Sequence, residues 1–470
     1  MPLDASILIH FLGRCGIFRL ETNFRLCLRR GCDMVLPSCL KEYLSHSSLH
    51  GLHFITEENR HWVERLFWLV SCSLSWFGSF KLMAAAWDSF QNNAISFVVE
   101  TNSLNWDTNF PAVSVCEIEN PNGVSSYASR VYGSQYDFTL DEVLKEIAYF
   151  SGVTYYTKQY CSKNDSKCPR DNFKDITTAI RSSCKDIFFE CRWNNEPFNC
   201  CQEFIPIETE LGICFIVNSD QGDLTRKKTK GALRLLSNRE KGAGRVHAYS
   251  GVDVPFYNAD ASNVFILQSA QTHMDFSIIL KETVNDDEVA SVSIKQRKCR
   301  FAEENTLTVS DRYSFSACII NCRRNRQLEL CNCTSHLIPN EQCDLDGLLC
   351  LNNNYLQLSL KKSQGSLQGG SDCYCEPNCD DIELQRIDGE ITTIAEPLYS
   401  MELKLAYLPS ERFRRNVVRR QIDLVVSMGG AVSLFVGASL LSTVEIIYYF
   451  TIRQLGSCWL QMQDTQTRRK

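Results

Sequence analysis

The stretch MGGAVSLFVGASLLSTVEIIYYF, from Met428 to Phe450, decides how the rest of the chain is interpreted. Apolar residues dominate it, and Glu445 is its only charged residue. It nevertheless contains several small residues, at Gly429, Gly430, Ser433, Gly437 and Ser439. Glycine in a helix interior costs about 0.8–1.0 kcal/mol relative to alanine. A helix that only anchored a protein would use leucine, so the small residues indicate a further role.

Two segments of the chain are apolar enough to span a bilayer. The first runs from Leu66 to Trp87, with Lys81 as its one charge, and the second runs from Leu424 to Phe450. Both exceed the roughly 20 residues that cross about 30 Å of hydrocarbon. Buried core helices are the alternative, but the lengths favour membrane helices. We therefore assign membrane-spanning helices to residues 65–87 and 424–450.

The cysteines predict the topology. Of 24 cysteines, eighteen lie between Cys116 and Cys379. Such an even set can pair completely in an oxidising compartment, whereas cytosolic thiols stay reduced. The pattern predicts an extracellular domain at residues 88–423, cytoplasmic ends at residues 1–64 and 451–470, and a multi-pass protein of the plasma membrane.

Two glycosylation sequons lie in the same middle segment, at Asn164 and Asn332. The second is the weaker prediction, because Asn332 stands between Cys331 and Cys333. Both are consistent with an extracellular location.

Composition and motifs exclude several classes of function. A net charge of −6 and an isoelectric point near 5.9 leave no basic footprint for nucleic acid. The sequence contains no His-Glu-x-x-His, Gly-x-Ser-x-Gly or P-loop pattern, so an enzyme is not expected. Zinc at the Cys-x-Cys pairs would need reduced thiols, so neither a metal nor another cofactor is predicted.

The middle segment has mostly the pattern of strands. The stretch FPAVSVCEIEN, from Phe110 to Asn120, alternates as a half-buried strand does. Residues 244–256 and 263–284 show a similar pattern, whereas Tyr313 to Cys333 has helical periodicity. We therefore expect a large disulfide-rich α+β domain.

The helical stretch also suggests a disulfide ladder. Cys318 and Cys322 are four residues apart on one helix face, separated by about 6 Å of rise. Cys373 and Cys375 are two apart on an extended segment, separated by about 6.6 Å. Spacing alone does not fix connectivity, but the matched distances favour an antiparallel approach. The resulting ladder would contain the pairs Cys318–Cys375, Cys322–Cys373, Cys299–Cys379, Cys331–Cys350 and Cys333–Cys343.

Several motifs together resemble the epithelial sodium channel/degenerin family, specifically its insect pickpocket branch. SSLHGLHF resembles the family's His-Gly gating motif, at His50 and Gly51. WDSFQNNAISFVVETNSLNWDTNFPAVSVC is similar to the signature that follows the first span, and GGAVSLFVGASLLSTVEIIYY is similar to the second span. CRWNNEPFNCCQEFIPIETELGICF and QRKCRFAEEN resemble its ectodomain. The resemblance covers roughly residues 43–452.

The resemblance implies a trimeric cation channel, usually sodium-selective and amiloride-sensitive, with sodium as the permeant ion. Its ectodomain would have palm, knuckle, β-ball, finger and thumb regions, with the ladder of residues 299–379 as the thumb. By the same resemblance Cys116 pairs with Cys214, and Cys191 with Cys200. Four cysteines stay unassigned, namely Cys161, Cys168, Cys184 and Cys201.

The small residues of the second span have two alternative uses. One stripe of a helix face is formed by Ser427, Gly430, Leu434, Gly437 and Leu441, with Glu445 on the same side. The stripe would serve either close helix packing or a pore around a cation. Gly437, Ala438 and Ser439 resemble the family's selectivity tract, where the second span is interrupted.

Other residues of the membrane region have more than one interpretation. Glu445 would concentrate cations at the inner mouth, or else anchor the helix at the headgroups. Val426 stands where the family commonly has a small residue, which implies either a channel that leaks at rest or a register in which Ser427 is the relevant residue. Lys81 would snorkel to the surface or face the pore.

Two functions remain as hypotheses. The first is a sodium-permeable, amiloride-sensitive channel subunit in a homo- or heterotrimer with related subunits, embedded in the bilayer and opened by an unknown extracellular ligand, protons or force. The alternative is a non-conducting two-span receptor or accessory subunit that modulates partner channels. The Gly-x-Ser tract favours the first, because an anchor would not need it.

Overall fold

The computed structural model describes residues 40–57, 60–101, 106, 108–133, 137–161, 167–219, 231–238, 243–267, 271–339, 341–359, 373–395, 398–453 and 456. These residues belong to two compact units. The first consists of the chain up to Ala94 and from Val418 onward, and the second of Ile95–Val417.

The first unit is helical. Residues 40–46 form α1, Leu52–Thr56 form α2 and Trp62–Asn92 form α3. After the second unit come α14 (Gln421–Val436), α15 (Leu440–Ile447) and a π-helical turn, Tyr448–Ile452. Within the described residues, α3 is the one helix long and apolar enough to cross a membrane. The pair Gln421–Val436 and Leu440–Ile452 passes the same test only if counted as one span, and it is bent by 73°.

Helices α3 and α14 pack closely where a glycine permits it. A Cβ atom on Gly78 would lie 2.8 Å from Cε1 of Phe435, so a larger residue would require the Phe435 side chain to shift. Ala431 and Val436 of α14 are buried. Most of the apolar surface of α3 is exposed, for example Phe67 and Leu74, as expected of a helix surrounded by lipid.

The second unit contains two sheets. Its strands are β1 (Ile95–Glu100), β2 (Ala112–Glu117), β3 (Phe188–Trp193), β4 (Glu196–Phe198), β5 (Ile205–Thr209), β6 (Gly212–Val217), β7 (Ala232–Asn238), β8 (Gly244–Tyr249), β9 (Val264–Leu267), β10 (Thr272–Asn285), β11 (Asp381–Thr393), β12 (Leu398–Leu405) and β13 (Arg412–Val417). The larger sheet has the order β1-β13-β10-β12-β7-β3-β4, with β11 also paired to β10, and the smaller one has the order β5-β6-β2-β8-β9.

Strand β2 corrects one expectation from the sequence. All six of its residues are buried rather than alternately exposed. The strand is central in the smaller sheet, and Val113 and Val115 belong to a core formed by side chains of both sheets. On the opposite face, Ser114 and Cys116 are also covered. The prediction of a half-buried strand was therefore wrong, because both faces are packed.

The helices of the second unit are α4 (Pro121–Tyr132), α5 (Phe138–Ala148), α6 (Tyr155–Tyr160), α7 (Phe173–Ile180), α8 (Cys184–Ile187), α9 (Cys200–Glu203), α10 (Ile294–Arg297), α11 (Phe315–Cys331), α12 (Leu345–Asn353) and α13 (Tyr355–Ser359). Helices α4 to α8 occupy a region where the sequence pattern was interpreted as mostly strand. The signal was present: Leu140, Val143, Leu144 and Ile147 recur at helical spacing and are all buried.

All eighteen cysteines between Cys116 and Cys379 are paired. The structure contains the five pairs of the expected ladder. It also contains Cys116–Cys214 and Cys191–Cys200. The four cysteines that the sequence left unassigned form Cys161–Cys168 and Cys184–Cys201. The disulfides therefore lie in two groups, one within residues 116–214 and the other within residues 299–379.

The two predicted glycosylation sequons differ in what the structure describes. Asn164 lies outside the described residues. Asn332 is exposed and ends α11 in a left-handed conformation, with φ 56°. The threonine of its sequon, Thr334, is fully buried. Glycosylation at either position stays a prediction.

A buried ion pair joins α11 to the smaller sheet. The Arg323 guanidinium donates to the Glu210 carboxylate, and both side chains are more than nine-tenths buried. The other oxygen of Glu210 accepts from the backbone N–H of Tyr257 at 2.7 Å, and Arg323 Nε donates to the carbonyl of Leu358 at 3.0 Å. Burial of two charges is tolerated when their remaining hydrogen-bonding atoms are satisfied, as they are here.

Two histidines of the second unit, His247 and His336, are buried. The ring of His336 lies between Phe150 and Phe173, and its Nε2 donates to the carbonyl of Ile147 at 2.8 Å. Burial lowers its pKa to about 4. His247, on β8, is also buried, and burial with the nearby positive charge of Arg245 lowers its pKa to about 3.

Candidate functional site

The second apolar segment is broken at the tract Gly437-Ala438-Ser439. Helix α14 ends at Val436, and Gly437 follows in the left-handed conformation with φ 70°. Glycine adopts this conformation without the steric penalty of other residues. Ser439 then caps α15: its hydroxyl accepts from the N–H of Ser442, and its own N–H donates to the Ser442 hydroxyl, both at 3.2 Å. The tract therefore combines a helix stop with a helix start.

The His-Gly motif lies directly against this break. The backbone N–H of His50 donates to the carbonyl of Val436 at 3.0 Å. A Cβ atom on Gly437 would lie 2.4 Å from Nδ1 of His50, so the imidazole ring occupies the space that a side chain at this position would need. His50 thus satisfies a terminal carbonyl of α14 and fits only beside glycine.

Gly51 is needed for a separate close contact. Its φ is 84°, and a Cβ atom on it would lie 2.7 Å from Sγ of Cys72 in α3. The Cys72 thiol is 3.7 Å from the carbonyl of His50 and donates to it. The motif is therefore wedged between α3 and the break. The structure brings the predicted gating residues and the predicted selectivity tract together.

Glu445 does not lie where the helical stripe predicted. A stripe that continued from Ser427 to Glu445 would require one uninterrupted helix, and the 73° bend destroys that phase. Instead, the Glu445 carboxylate accepts from Ser48, from the hydroxyl at 2.6 Å and from the backbone N–H at 3.3 Å. The prediction that Glu445 shares the face of the stripe was therefore wrong.

The chain before α3 runs antiparallel to α15 and the π-helical turn. Near its start, Glu42 is paired with Arg453, and the Tyr43 ring packs edge-on against Tyr449 with centroids 5.7 Å apart. Ser48 and His50 then reach residues progressively nearer the break, as described above. We call residues 40–51 the N-terminal brace, because their contacts follow α15 from its end to its beginning.

The predicted pore-lining face of α14 is exposed among the residues that the structure describes. Leu434 is 77% exposed, and Ser427 and Gly430 are also exposed. A Cβ atom on Gly429 or Gly430 would meet nothing within 4 Å. Packing against α3 therefore does not explain these two glycines. Val426 is exposed as well.

We call the first unit the membrane unit, because it contains both apolar segments of the chain. Lys81 is exposed on α3, with its ammonium 5.6 Å from the centre of the Phe77 ring. Across the described part of the chain, no group of three or more His, Cys, Asp or Glu side chains is arranged to hold a metal ion. The oxygens at the break belong to serines and backbone carbonyls, which are hard ligands suited to hard cations.

Comparison with known proteins identifies the family of this chain. The model of the amiloride-sensitive sodium channel family matches residues 43–449, most of the chain. This chain belongs to the amiloride-sensitive sodium channel family. Members of the family are ion channels of membranes, so the chain is a cation channel subunit and not an enzyme. The resemblance indicated by the motifs is confirmed.

Relatives within the family are distant but similar over nearly their whole length. The sodium channel protein Nach of Drosophila ananassae is 24% identical, over 87% of this chain and 86% of its own. Pickpocket protein 19 of Drosophila melanogaster is 22% identical, over 93% of both chains. The human bile acid-sensitive ion channel is 23% identical, over 87% of this chain and 85% of its own.

Sequence reasoning missed two residues of this site, Ser48 and Ser442. Their contacts join positions about four hundred residues apart, and no local pattern indicates such a pairing. Ser442 had one signal, its position three residues after the cap Ser439, which is typical of a reciprocal capping arrangement. Ser48 had none beyond its place in the His-Gly motif.

Proposed function

We propose that this chain is a subunit of a sodium-permeable, amiloride-sensitive channel of the plasma membrane, opened by an extracellular stimulus. One observation carries the proposal: an apolar segment is broken at Gly437, and serine and backbone oxygens are present at the break. Non-helical backbone at membrane depth is tolerated only where it lines a cavity or is buried in protein. A water-filled path for a cation meets that condition.

The proposed architecture has two spans and three copies of the chain. Helix α3 would be the first span, and α14 with α15 would be a second, bent one. The exposed face of Ser427, Gly430 and Leu434 would line the path, with Gly437, Ala438 and Ser439 as the selectivity filter and Val426 above it. Both termini would be cytoplasmic, and the partners would be identical or related subunits.

The residues at and around the break have distinct proposed roles. Ser439 would contribute a hydroxyl oxygen to a partly dehydrated sodium ion, and backbone carbonyls at the break would contribute others. Glu445 would raise the local concentration of cations. His50 and Gly51 would couple movements of the first span to the filter, because they contact both α3 and the end of α14.

The test is the ion preference of the current. Chains with Ser439→Ala would be compared with the wild type by reversal potentials in sodium and then potassium baths. The proposal predicts a reduced preference for sodium, because one oxygen ligand is lost. Ser73→Ala is the matched control, because Ser73 lies in α3 and its hydroxyl donates to the carbonyl of Leu69 in the same helix. An unchanged preference in Ser439→Ala would contradict the assignment of the filter.

A further inference from the structure

The Glu445 carboxylate is held by one serine of the N-terminal brace. A single oxygen of Glu445 accepts from both the hydroxyl and the backbone N–H of Ser48. The hydroxyl contact, at 2.6 Å, has the length of a charge-assisted O–H···O⁻ bond, which is about twice as strong as a neutral one. The orientation of this carboxylate therefore depends on a residue outside the second apolar segment.

The same hydroxyl connects Glu445 to the filter residue Ser439. Ser48 Oγ is 2.9 Å from Ser442 Oγ, which is 3.3 Å from Ser439 Oγ. The chain of contacts thus runs from Glu445 through Ser48 and Ser442 to Ser439. Each link joins two side chains of the membrane unit, and each serine hydroxyl has one proton to donate.

The directions of these hydrogen bonds follow from counting protons. A carboxylate only accepts hydrogen bonds, so the Ser48 hydroxyl must donate its proton to Glu445. Ser442 must then donate to Ser48, and Ser439 in turn must donate to Ser442. All three protons consequently point toward the negative charge, and successive bonds of this kind polarise one another.

These bond directions determine which lone pairs of the Ser439 hydroxyl oxygen are available. One of its lone pairs already accepts from the N–H of Ser442, and its hydroxyl proton is directed toward the oxygen of Ser442. The remaining lone pair is therefore free for a cation. A Ser439 hydroxyl rotated by other partners could instead present its proton, which would repel a cation.

We propose that Ser48 and Ser442 are specificity-determining positioning residues, which transmit the charge of Glu445 to Ser439 and keep a lone pair of Ser439 free for the permeant ion. This inference rests on the proposed function. It assigns control of ion preference partly to the cytoplasmic N-terminal brace rather than to the second span alone.

The first experiment measures sodium-to-potassium permeability ratios from reversal potentials. Ser48→Ala should lower the ratio by about twofold or more, the lower range of coupling between residues in contact. Ser48→Thr keeps the hydroxyl and should keep the ratio. Ser47→Ala is the matched control, because the Ser47 hydroxyl accepts from the N–H of Leu49 and is outside the chain of contacts.

A double-mutant comparison separates positioning from a general structural effect. With Glu445→Gln already in place, Ser48→Ala should cause little further change in the ratio, because the charge that orients the protons is gone. Equal and additive shifts from Ser48→Ala in both backgrounds would overturn the inference. So would a ratio in Ser48→Ala equal to that of the wild type.

A second experiment tests the contact without any current. Because the described disulfides fall within residues 116–214 and 299–379, a protease site inserted within residues 220–230 would yield fragments that no described disulfide joins. Ser48→Cys combined with Glu445→Cys should keep the fragments joined after oxidation of isolated membranes, whereas Ser47→Cys with Glu445→Cys should not.

The two experiments distinguish the possible failures. Fragments that separate in the Ser48→Cys/Glu445→Cys chain would overturn the inference even if sodium current is present. A chain that is cross-linked and reaches the cell surface but conducts no cation would instead contradict the proposed function, and with it the control of ion preference.

Discussion

Replacing Gly437 by alanine tests whether the break depends on both its backbone conformation and its contact with His50. Gly437 has φ 70°, and a Cβ atom there would lie 2.4–2.5 Å from three atoms of the His50 ring. Real Cβ atoms do not approach other atoms this closely. Gly437→Ala must therefore strain the backbone and also displace the ring.

The two costs can be estimated separately. A residue with a Cβ atom in the left-handed conformation costs roughly 1–2 kcal/mol, and overpacking a well-packed site typically costs about 1–3 kcal/mol. Gly437→Ala should thus destabilise the membrane unit by about 2–5 kcal/mol. Adding His50→Ala removes the steric cost, so Gly437→Ala measured in the His50→Ala background should cost only the roughly 1–2 kcal/mol of backbone strain.

The assay is the thermal midpoint of the detergent-solubilised chain, followed by size-exclusion chromatography. Gly429→Ala is the control, because its Cβ would meet nothing within 4 Å and the residue is in α14. Alanine there should stabilise the helix by about 0.5–1 kcal/mol. The reasoning is refuted if Gly437→Ala matches the wild type, or if His50→Ala gives no recovery in the double variant.

Three further predictions concern both units. His336 has its pKa lowered to about 4 by burial, from 6.5. Its stabilising contribution is complete above pH 6.5 and is lost as the pH falls toward 4, because only the unfolded chain then binds the proton; the loss reaches about 3 kcal/mol. His336→Gln should reduce the pH dependence of the thermal midpoint of the second unit in that range, and an unchanged slope would contradict this. Arg323→Met leaves Glu210 buried without its charge partner and should lower the free energy of unfolding by about 3–5 kcal/mol. Lys174→Met breaks an exposed pair with Glu208 and should lower it by less than about 1 kcal/mol. Equal losses of unfolding free energy in denaturant titrations would contradict the larger cost expected for the buried pair. Leu434→Cys should react with a charged thiol reagent and reduce the current, whereas Phe435→Cys should not, because Phe435 packs against Gly78; the reverse pattern would exclude the proposed pore-lining face.

The disulfide ladder could be predicted because two local periodicities had to match. The four-residue spacing of Cys318 and Cys322 on a helix and the two-residue spacing of Cys373 and Cys375 give nearly equal distances. The same kind of reasoning failed for Cys161 and Cys168. Their bridge closes a small loop, and no second pair of equal spacing constrains it.

Periodicity failed where the backbone changes direction. The face shared by Ser427, Gly430 and Leu434 follows from helical spacing and is exposed in the structure. The same spacing does not continue to Glu445, because the helix is broken between Leu434 and Glu445. Two local signals indicate this break: Gly437 ends α14 in the left-handed conformation, and Ser439 caps the start of α15. A bend of 73° then places Glu445 beside Ser48.

Long-range contacts of the N-terminal brace could not be derived from either segment alone. Ser48 and Glu445 are 397 residues apart in sequence, and neither shows a local pattern that selects the other. The buried strand β2 had a related problem. Its alternation of apolar and polar residues was real, but Ser114 and Cys116 are covered by packing that the strand itself does not specify.

The central claim is tested most directly by whole-cell current from cells with this chain at their surface, expressed alone and with related subunits. We predict a current carried by sodium in preference to potassium, blocked by amiloride and altered in its ion preference by Ser439→Ala. Surface expression without current in either setting, and without change in the current of the partner subunits, would contradict the account.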